Sequence, residues 1–417
     1  MQLKTILNFV ERQRGFVYGQ VRWLDGKKGT GIEVEVIPRR NSRPICSKCG
    51  LRCPGYDRLE ARRFEFVPLW GMAVFFVYAL RRVSCRRCGV VVVERVPWTT
   101  GKHHQTKSYR LFLATWAKRL SWQEVGDVFG TSWDTVYRAV RWVVSWGIVH
   151  RELSEIESIG IDEIQYRRGH NYLTLVYQLD AGMRRLLYVG QERTEASLHG
   201  FFDILDETTR AGIRFACTDM WQPYLTVLRE RLGQALNILD RFHIAKKFGE
   251  ALDKVRAGEA RQLEADGYEP ILKHSRWCLL KRKANLTSRQ TVKLRELLKY
   301  NLRSVKAYLM RADFDRFWSY TSPAWARKFL RDWCARASRC RIEPMQAMAK
   351  TLLRHEDLLL NWFLANGLSS AVVEGFNNKA KLTMRKAYGF KEFETIETAL
   401  YHQLGHLPEP ESTHRFC

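Results

Sequence analysis

Between residues 156 and 240 the chain carries three strand-like runs in succession and then alternates strands with helices, a pattern that calls for a mixed α/β sheet. Ile159-Gly160-Ile161 leads to Asp162. Tyr172 to Leu179 is rich in β-branched and aromatic residues, Asp180-Ala181-Gly182 reads as a turn, and Arg185 to Val189 as the third strand. Thr194 to Thr209 is expected as one helix capped by Thr194, and Ile213 to Cys217 as a buried strand leading to Asp219. Pro223 falls in the first turn of the next helix, where its missing N–H costs nothing. Ala235 to Leu239 is a further strand, ending at Asp240, and a long helical stretch follows. Upstream, residues 1–40 carry no clear pattern, 41–100 are β-rich and 105–150 are helical.

The β-rich part holds two cysteine pairs, Cys46/Cys49 and Cys85/Cys88, with 35 residues between them. Each C-x-x-C suits a knuckle that places two thiolates on one tetrahedral zinc ion, and Gly50 and Gly89 follow where a tight turn is expected. The intervening segment has room for a β-hairpin. Cys53 is a competing ligand of less regular spacing, while His103 and His104 read as surface residues. Arg86 and Arg87 sit inside the second pair and are candidate DNA contacts, with a solvated rim as the alternative.

Leu120 to Val144 reads as two helices around a short turn. Ser121 and Glu124 have the spacing of a capping box, Val125, Val128 and Phe129 form an apolar stripe, and Gly130 ends the first helix. Thr131 or Ser132 caps the second. This is the pattern of a helix-turn-helix, and a structural helical hairpin shares it. Trp133 and Thr135 would sit at the recognition end, with Arg138 and Arg141 along the same helix. Charge favours the DNA-binding reading: 69 Lys and Arg against 44 Asp and Glu give a net +25, which points to a polyanionic partner. A membrane is the weaker candidate. The most apolar stretch, Val67 to Leu80, is shorter than the roughly 20 residues that span a bilayer, and Met1 to Val10 lacks a secretory pattern. A soluble intracellular protein with no membrane partner is therefore expected, and C-x-x-C usage there favours metal over disulfides.

Three carboxylates have context. Asp162 and Asp219 each follow an apolar strand, so they come together if the strands are neighbours. Glu374, Asn377, Asn378 and Lys381 share one helical face, which suits a metal–phosphate site; a solvated face is the alternative. Two divalent ions about 4 Å apart need shared carboxylates, and magnesium or manganese takes a few of these plus water and phosphate oxygens. Glu163 competes with Asp162, but successive strand residues face opposite ways, and Glu163 is taken as the lesser candidate.

With these residues in view, the chain from about 40 to 405 resembles bacterial insertion-sequence transposases of the ISL-three family, which are DDE enzymes. The likeness rests on the order of a C-x-x-C finger with Pro68-Leu69-Trp70-Gly71 between its halves, a helix-turn-helix and three acidic segments: Gly160-Ile161-Asp162-Glu163, Thr218-Asp219-Met220-Trp221-Gln222-Pro223-Tyr224 and Val373-Glu374-Gly375-Phe376-Asn377-Asn378. The resemblance implies a ribonuclease-H-like catalytic fold with Asp162, Asp219 and Glu374 as its first, second and third acidic ligands. The 155 positions from Asp219 to Glu374 then imply an inserted helical domain. Asp240-Arg241-Phe242-His243 is similar to a D-x-x-H signature of DDE transposases with such insertions, which places His243 near the active site; a helix start capped by Asp240 is the alternative.

The expected organisation is a multidomain α+β protein. Residues 1–100 form an N-terminal β-rich module with zinc ligands between 46 and 88, and 101–150 a helix-turn-helix. The catalytic core runs over 151–244, a helical insertion over 245–365, and the last part of the core with the third acid over 366–417. The implied activity is binding of terminal inverted repeats, followed by metal-dependent cleavage and strand transfer, with two magnesium or manganese ions and one structural zinc. Lys379, Lys381, Arg385 and Lys386 would grip double-stranded DNA. Joining two ends implies a dimer or larger, acting in the bacterial cytoplasm at the nucleoid. The competing function is a non-cutting zinc and helix-turn-helix regulator derived from a transposase.

Overall fold

The computed structural model describes residues 2–26, 29–365, 371–386 and 390–411. The chain divides into two compact units, Met1–Arg151 with Thr383–Cys417, and Glu152–Leu382. The 366–417 segment thus divides at Leu382/Thr383.

In the first unit a mixed sheet is built from β1 (Phe16–Gly26), β2 (Gly29–Pro38), β3 (Gly55–Leu69), β4 (Met72–Cys85) and β5 (Val90–Val93). The order is β1-β2-β4-β3, with β5 on the end of β4; only the β2–β4 pairing is parallel. Alternation along β4 buries Val74, Phe76, Tyr78 and Leu80 on one face, where they meet Val34, Phe64, Phe66 and Trp98. β3 and β4 form the hairpin for which the inter-cysteine segment has room. Leu69 pairs with Met72, and both turn residues, Trp70 and Gly71, have positive φ (52° and 78°), as a two-residue hairpin turn of that twist requires. β1 and β2, in the region without a legible pattern, contain glycines and charges that blur alternation, and β2 takes a partner some 40 residues away.

The same unit holds the helices Lys107–Ala117, Trp122–Phe129, Trp133–His150 and Phe393–Leu404. Ser121 Oγ accepts from Glu124 N–H while the Glu124 carboxylate accepts from Ser121 N–H, completing the capping box. Gly130 closes that helix at φ 66°, and Ser132, not Thr131, caps the next. Val125, Val136, Val140 and Val143 are buried between the helices, whereas Val128, expected in the stripe, faces solvent.

In the second unit β6 (Ser158–Arg167), β7 (Asn171–Gln178), β8 (Arg185–Gln191), β9 (Phe215–Thr218) and β10 (Leu236–Leu239) form a sheet of order β10-β9-β6-β7-β8. β6, β7 and β8 are antiparallel neighbours; β9 and β10 run parallel to β6. β6 does not stop at Asp162, as the short apolar run suggests, because its pairing with β7 extends to Arg167. The expected helix from Thr194 to Thr209 is two, Glu195–Asp203 and Glu207–Gly212. Thr194 caps the first, and Asp206 restarts the second by accepting from Thr209 N–H. Beyond β10 the helices Arg241–Ala265, Arg276–Leu280, Ser288–Leu297, Arg303–Phe314, Pro323–Ser338, Glu343–Arg354 and Glu356–Leu364 build an array around Phe248, Phe314, Phe317, Leu330, Trp333 and Met345. The helix Ala371–Lys386 then returns to β6, where Val373 fills the notch left by Gly160.

Gly126 allows the turn between Trp122–Phe129 and Trp133–His150 to close, since a β-carbon there would lie 2.8 Å from Thr131 O. Gly126→Val should cost about 1–3 kcal/mol in urea unfolding by forcing this turn open.

Candidate catalytic and metal sites

Strand register brings the acidic residues of the second unit together. Gly160 of β6 lies opposite Cys217 of β9, so carrying the parallel register two residues further sets Asp162 level with Asp219. On the other side of β9, Leu239 lies opposite Thr218, and Asp240 N–H donates to Thr218 O at 2.8 Å, so Asp240 is level with Asp219 too. Three aspartates therefore stand side by side, Asp162 within β6 and Asp219 and Asp240 just past the ends of β9 and β10, on strands about 4.8 Å apart.

Each aspartate is held by named donors. Asp219 Oδ1 accepts from Trp221 N–H at 2.9 Å, and its Oδ2 accepts from Arg193 Nη2 at 3.0 Å. Asp240 caps the helix Arg241–Ala265 through Phe242 N–H, so the helix-start reading holds for it. The His243 Nε2 atom lies 3.7 Å from both Asp162 Oδ1 and Asp240 Oδ2. Burial opposes protonation of His243, but Asp162, Asp240 and Asp219 outweigh it and raise its pKa above the ordinary value. His243 thus stands among the carboxylates. Glu163 reaches the same cluster through Arg193, 3.2 Å from its Oε1. Burial, followed by the charge of Asp219, pushes the Glu163 carboxyl up to about 7, and its Oε2 is buried without a partner.

Glu374 lies in the first turn of Ala371–Lys386 and is exposed. One turn on, Asn377 is buried; its amide donates to Asp162 Oδ2 and its carbonyl accepts from Tyr177 OH at 2.9 Å. Stacking of Phe376 on Tyr177, centroids 4.8 Å apart, fixes the helix rotation. Glu374 is therefore on a helix anchored to β6 on both sides of it, by Val373 at Gly160 and Asn377 at Asp162. The oxygens of Asp162, Asp219 and Glu374 do not lie within 4.8 Å of one another; among the described residues only the cysteine cluster meets that spacing. The donors are hard carboxylate oxygens, with a further one orphaned beside them at Glu163, and that chemistry suits magnesium or manganese.

In the first unit the four cysteines converge. The Sγ atoms of Cys46, Cys49, Cys85 and Cys88 all lie within 4.8 Å of each other, and Cys49 and Cys85 are 3.5 Å apart. A tetrahedral zinc with 2.3 Å bonds needs sulfurs about 3.8 Å apart, so the set fits that ion. Each knuckle closes as its glycine implies: Gly50 N–H donates to Cys46 O and Gly89 N–H to Cys85 O, both glycines at positive φ. Cys53 is buried beside the set but outside it, donating toward Leu51 O.

The expected DNA contacts fall on surfaces. Arg86 and Arg87 are exposed in the second knuckle, and Trp133 is exposed at the start of its helix. Arg138 pairs with Asp134 and Arg141 with Glu394, while Thr135 Oγ1 accepts from Ser132 Oγ. Lys379, Lys381, Arg385 and Lys386 are exposed along Ala371–Lys386, and Lys386 Nζ donates to Arg119 O at 3.0 Å. Sequence reasoning missed Arg193, which carries no local motif and acquires meaning only through the fold.

Comparison with known proteins fits this geometry. A family profile described as transposase matches residues 159–400, from the start of β6 through most of Phe393–Leu404, and defines the class as DDE transposases. The chain belongs to the ISL3 family of these enzymes. It is 30% identical over 388 residues to the transposase for insertion sequence element IS1001 of Bordetella parapertussis, covering 89% of this chain and 94% of that protein. Over 413 residues it is 30% identical to the transposase for insertion sequence element IS1557 of Mycobacterium tuberculosis, strain CDC 1551 / Oshkosh, covering 92% and 91%. Among the described residues no helix is long and apolar enough to cross a membrane.

Elemental analysis of the purified protein should find one zinc per chain. Cys85→Ser should lose it, with loss of the first unit's cooperative melting, whereas Cys53→Ser should keep it; retention by Cys85→Ser would refute the four-thiolate site.

Proposed function

We propose that this transposase binds the terminal inverted repeats of its insertion sequence, cleaves DNA there and joins the freed ends to a target. The observation that carries the reading is the parallel register that sets Asp162 level with Asp219, with the Glu374 helix docked on the same strand through Val373 and Asn377. The sheet order, three antiparallel strands with two parallel ones beside the first, supports a ribonuclease-H-like core. The helical array between β10 and Ala371–Lys386 supports the reading of 245–365 as an inserted helical domain. The close turn at Gly126 supports the helix-turn-helix reading of 101–150.

Asp162, Asp219 and Glu374 would hold two magnesium or manganese ions, which supply Lewis-acid chemistry for phosphodiester hydrolysis and transesterification when bound. Asn377 orients Asp162 and Trp221 N–H orients Asp219. His243, near Asp162 and Asp240, offsets carboxylate repulsion at its Nε2. Hydrolysis adds a water oxygen to phosphorus and releases a 3′ hydroxyl; that oxygen then bonds to a target phosphorus as the target's own 3′ oxygen leaves. Arg86, Arg87, Trp133, Thr135, Arg138 and Arg141 would read and position the ends, and Lys379, Lys381, Arg385 and Lys386 would grip the backbone near the cut. Pairing two ends calls for a dimer or larger on DNA, in the bacterial cytoplasm.

Labelled DNA carrying the element ends should be nicked at the element boundary with magnesium and not with EDTA, and Glu374→Gln should lower the rate by about 100-fold or more. Tight end binding without cleavage under every ion condition would identify a non-cutting regulator instead. Undiminished cleavage by the variant would remove Glu374 from the ligand set.

A further inference from the structure

Arg193 lies in the short link between β8 and the helix Glu195–Asp203, and the backbone pins it from both sides. Glu192, at φ 68°, donates its N–H to Tyr172 O at 2.9 Å and accepts from Thr174 Oγ1 at 2.7 Å. Thr194 caps the following helix. From this fixed base the guanidinium lies over the Trp221 ring, 4.3 Å from its centroid. Its Nη2 reaches Asp219 Oδ2 at 3.0 Å and Glu163 Oε1 at 3.2 Å. Since Asp219 Oδ1 already accepts from Trp221 N–H, Arg193 engages the other oxygen, the one left for a metal.

Four acidic side chains, Asp162, Glu163, Asp219 and Asp240, crowd adjoining strands, and like charges at this spacing repel strongly where water is scarce. Arg193 and His243 are the cationic groups that the structure places among them. The guanidinium is incompletely satisfied, because its Nε is buried without a partner, as is Glu163 Oε2 across from it. A permanent structural brace would use its fork in full. A group that must yield its place to another cation need not.

We propose that Arg193 is a resident counter-cation, holding Asp219 and Glu163 until a divalent ion displaces its guanidinium from Asp219. This rests on the reading of Asp219 as a metal ligand. Arg193 is thus a positioning residue that sets the metal concentration at which the site fills. Displacement is an exchange of one cation for another at the same oxygen, so removing the arginine lowers the competition that manganese meets.

The test is a manganese titration of the zinc-loaded full chain without DNA, with free Mn2+ read by electron paramagnetic resonance. Wild type, Arg193→Gln, Arg193→Lys and Asp219→Asn are compared. Arg193→Gln should bind manganese about ten-fold more tightly than wild type. Arg193→Lys keeps the charge but loses the fork, and should fall between them. With no manganese added, the zinc-loaded Gln variant should melt below wild type, and manganese should raise its melting temperature by more. Manganese binding that is unchanged or weaker in both Arg193 variants, while Asp219→Asn weakens it, overturns the counter-cation role and leaves the metal reading standing. Unchanged binding by Asp219→Asn overturns the metal reading itself, and the proposal with it.

Discussion

Three aspartates set level with one another on three adjoining parallel strands are the constraint to which the rest of the second unit answers. The register of β6 with β9, and of β9 with β10, is set by buried residues such as Ile159, Ala216 and Ile238, yet it decides that Asp162, Asp219 and Asp240 stand level. Negative charges on neighbouring strands repel one another and need help to stand together. The surrounding contacts can be read as that help: a backbone N–H and an arginine on Asp219, a helix N-terminus on Asp240, and an amide and an imidazole on Asp162. Helix N-termini and N–H donors stabilise the negative charge without carrying a full positive one. A divalent cation therefore still has something to gain by entering.

The third acid arrives by a longer route. Glu374 is separated from Asp240 by the helical array, and nothing local fixes where its helix must land. Two side chains do so instead. Gly160 leaves a notch that Val373 fills, and buried Asn377 spans from Tyr177 to Asp162. Losing the closure entropy of so long a segment costs little more than for a short one, because that cost grows only logarithmically with length. The array's own core, centred on Phe248, Phe314 and Trp333, is continuous with Leu225 and Leu239, so the array is packed onto the sheet elements that precede it.

Much of this was legible in the sequence because it is local. The strand order from Ile159 to Leu239, the capping box at Ser121 and Glu124, the αL glycine at Gly130 and the cysteine knuckles all follow from residue patterns a few positions long. What was not legible depends on distant partners. β1 and β2 were hidden because their sheet is completed by β4, and the break at Asp206 because a cap can interrupt an otherwise helical stretch. Strict alternation assigns Asp162 and Glu163 to opposite faces, yet the long Arg193 side chain links Glu163 to the cluster all the same. That link joins residues 163, 193 and 219, and no window of sequence contains it.

The two candidate metal sites differ in a way that their chemistry explains. The cysteine set is closed: four soft thiolates lie within mutual reach, and the hairpin of β3 and β4 returns Cys85 to Cys46 with no further element needed. Such a site suits a structural ion that stays. The carboxylate set is open. Its oxygens are spread over neighbouring strands and a docked helix, two of them accept from side-chain donors, and a buried orphan stands beside them at Glu163. A site for phosphoryl chemistry must keep coordination positions for substrate oxygens, so spreading its ligands is compatible with that work whereas a closed cage is not. The closed site can be specified by spacing alone, and the open one needs the whole second unit to define it.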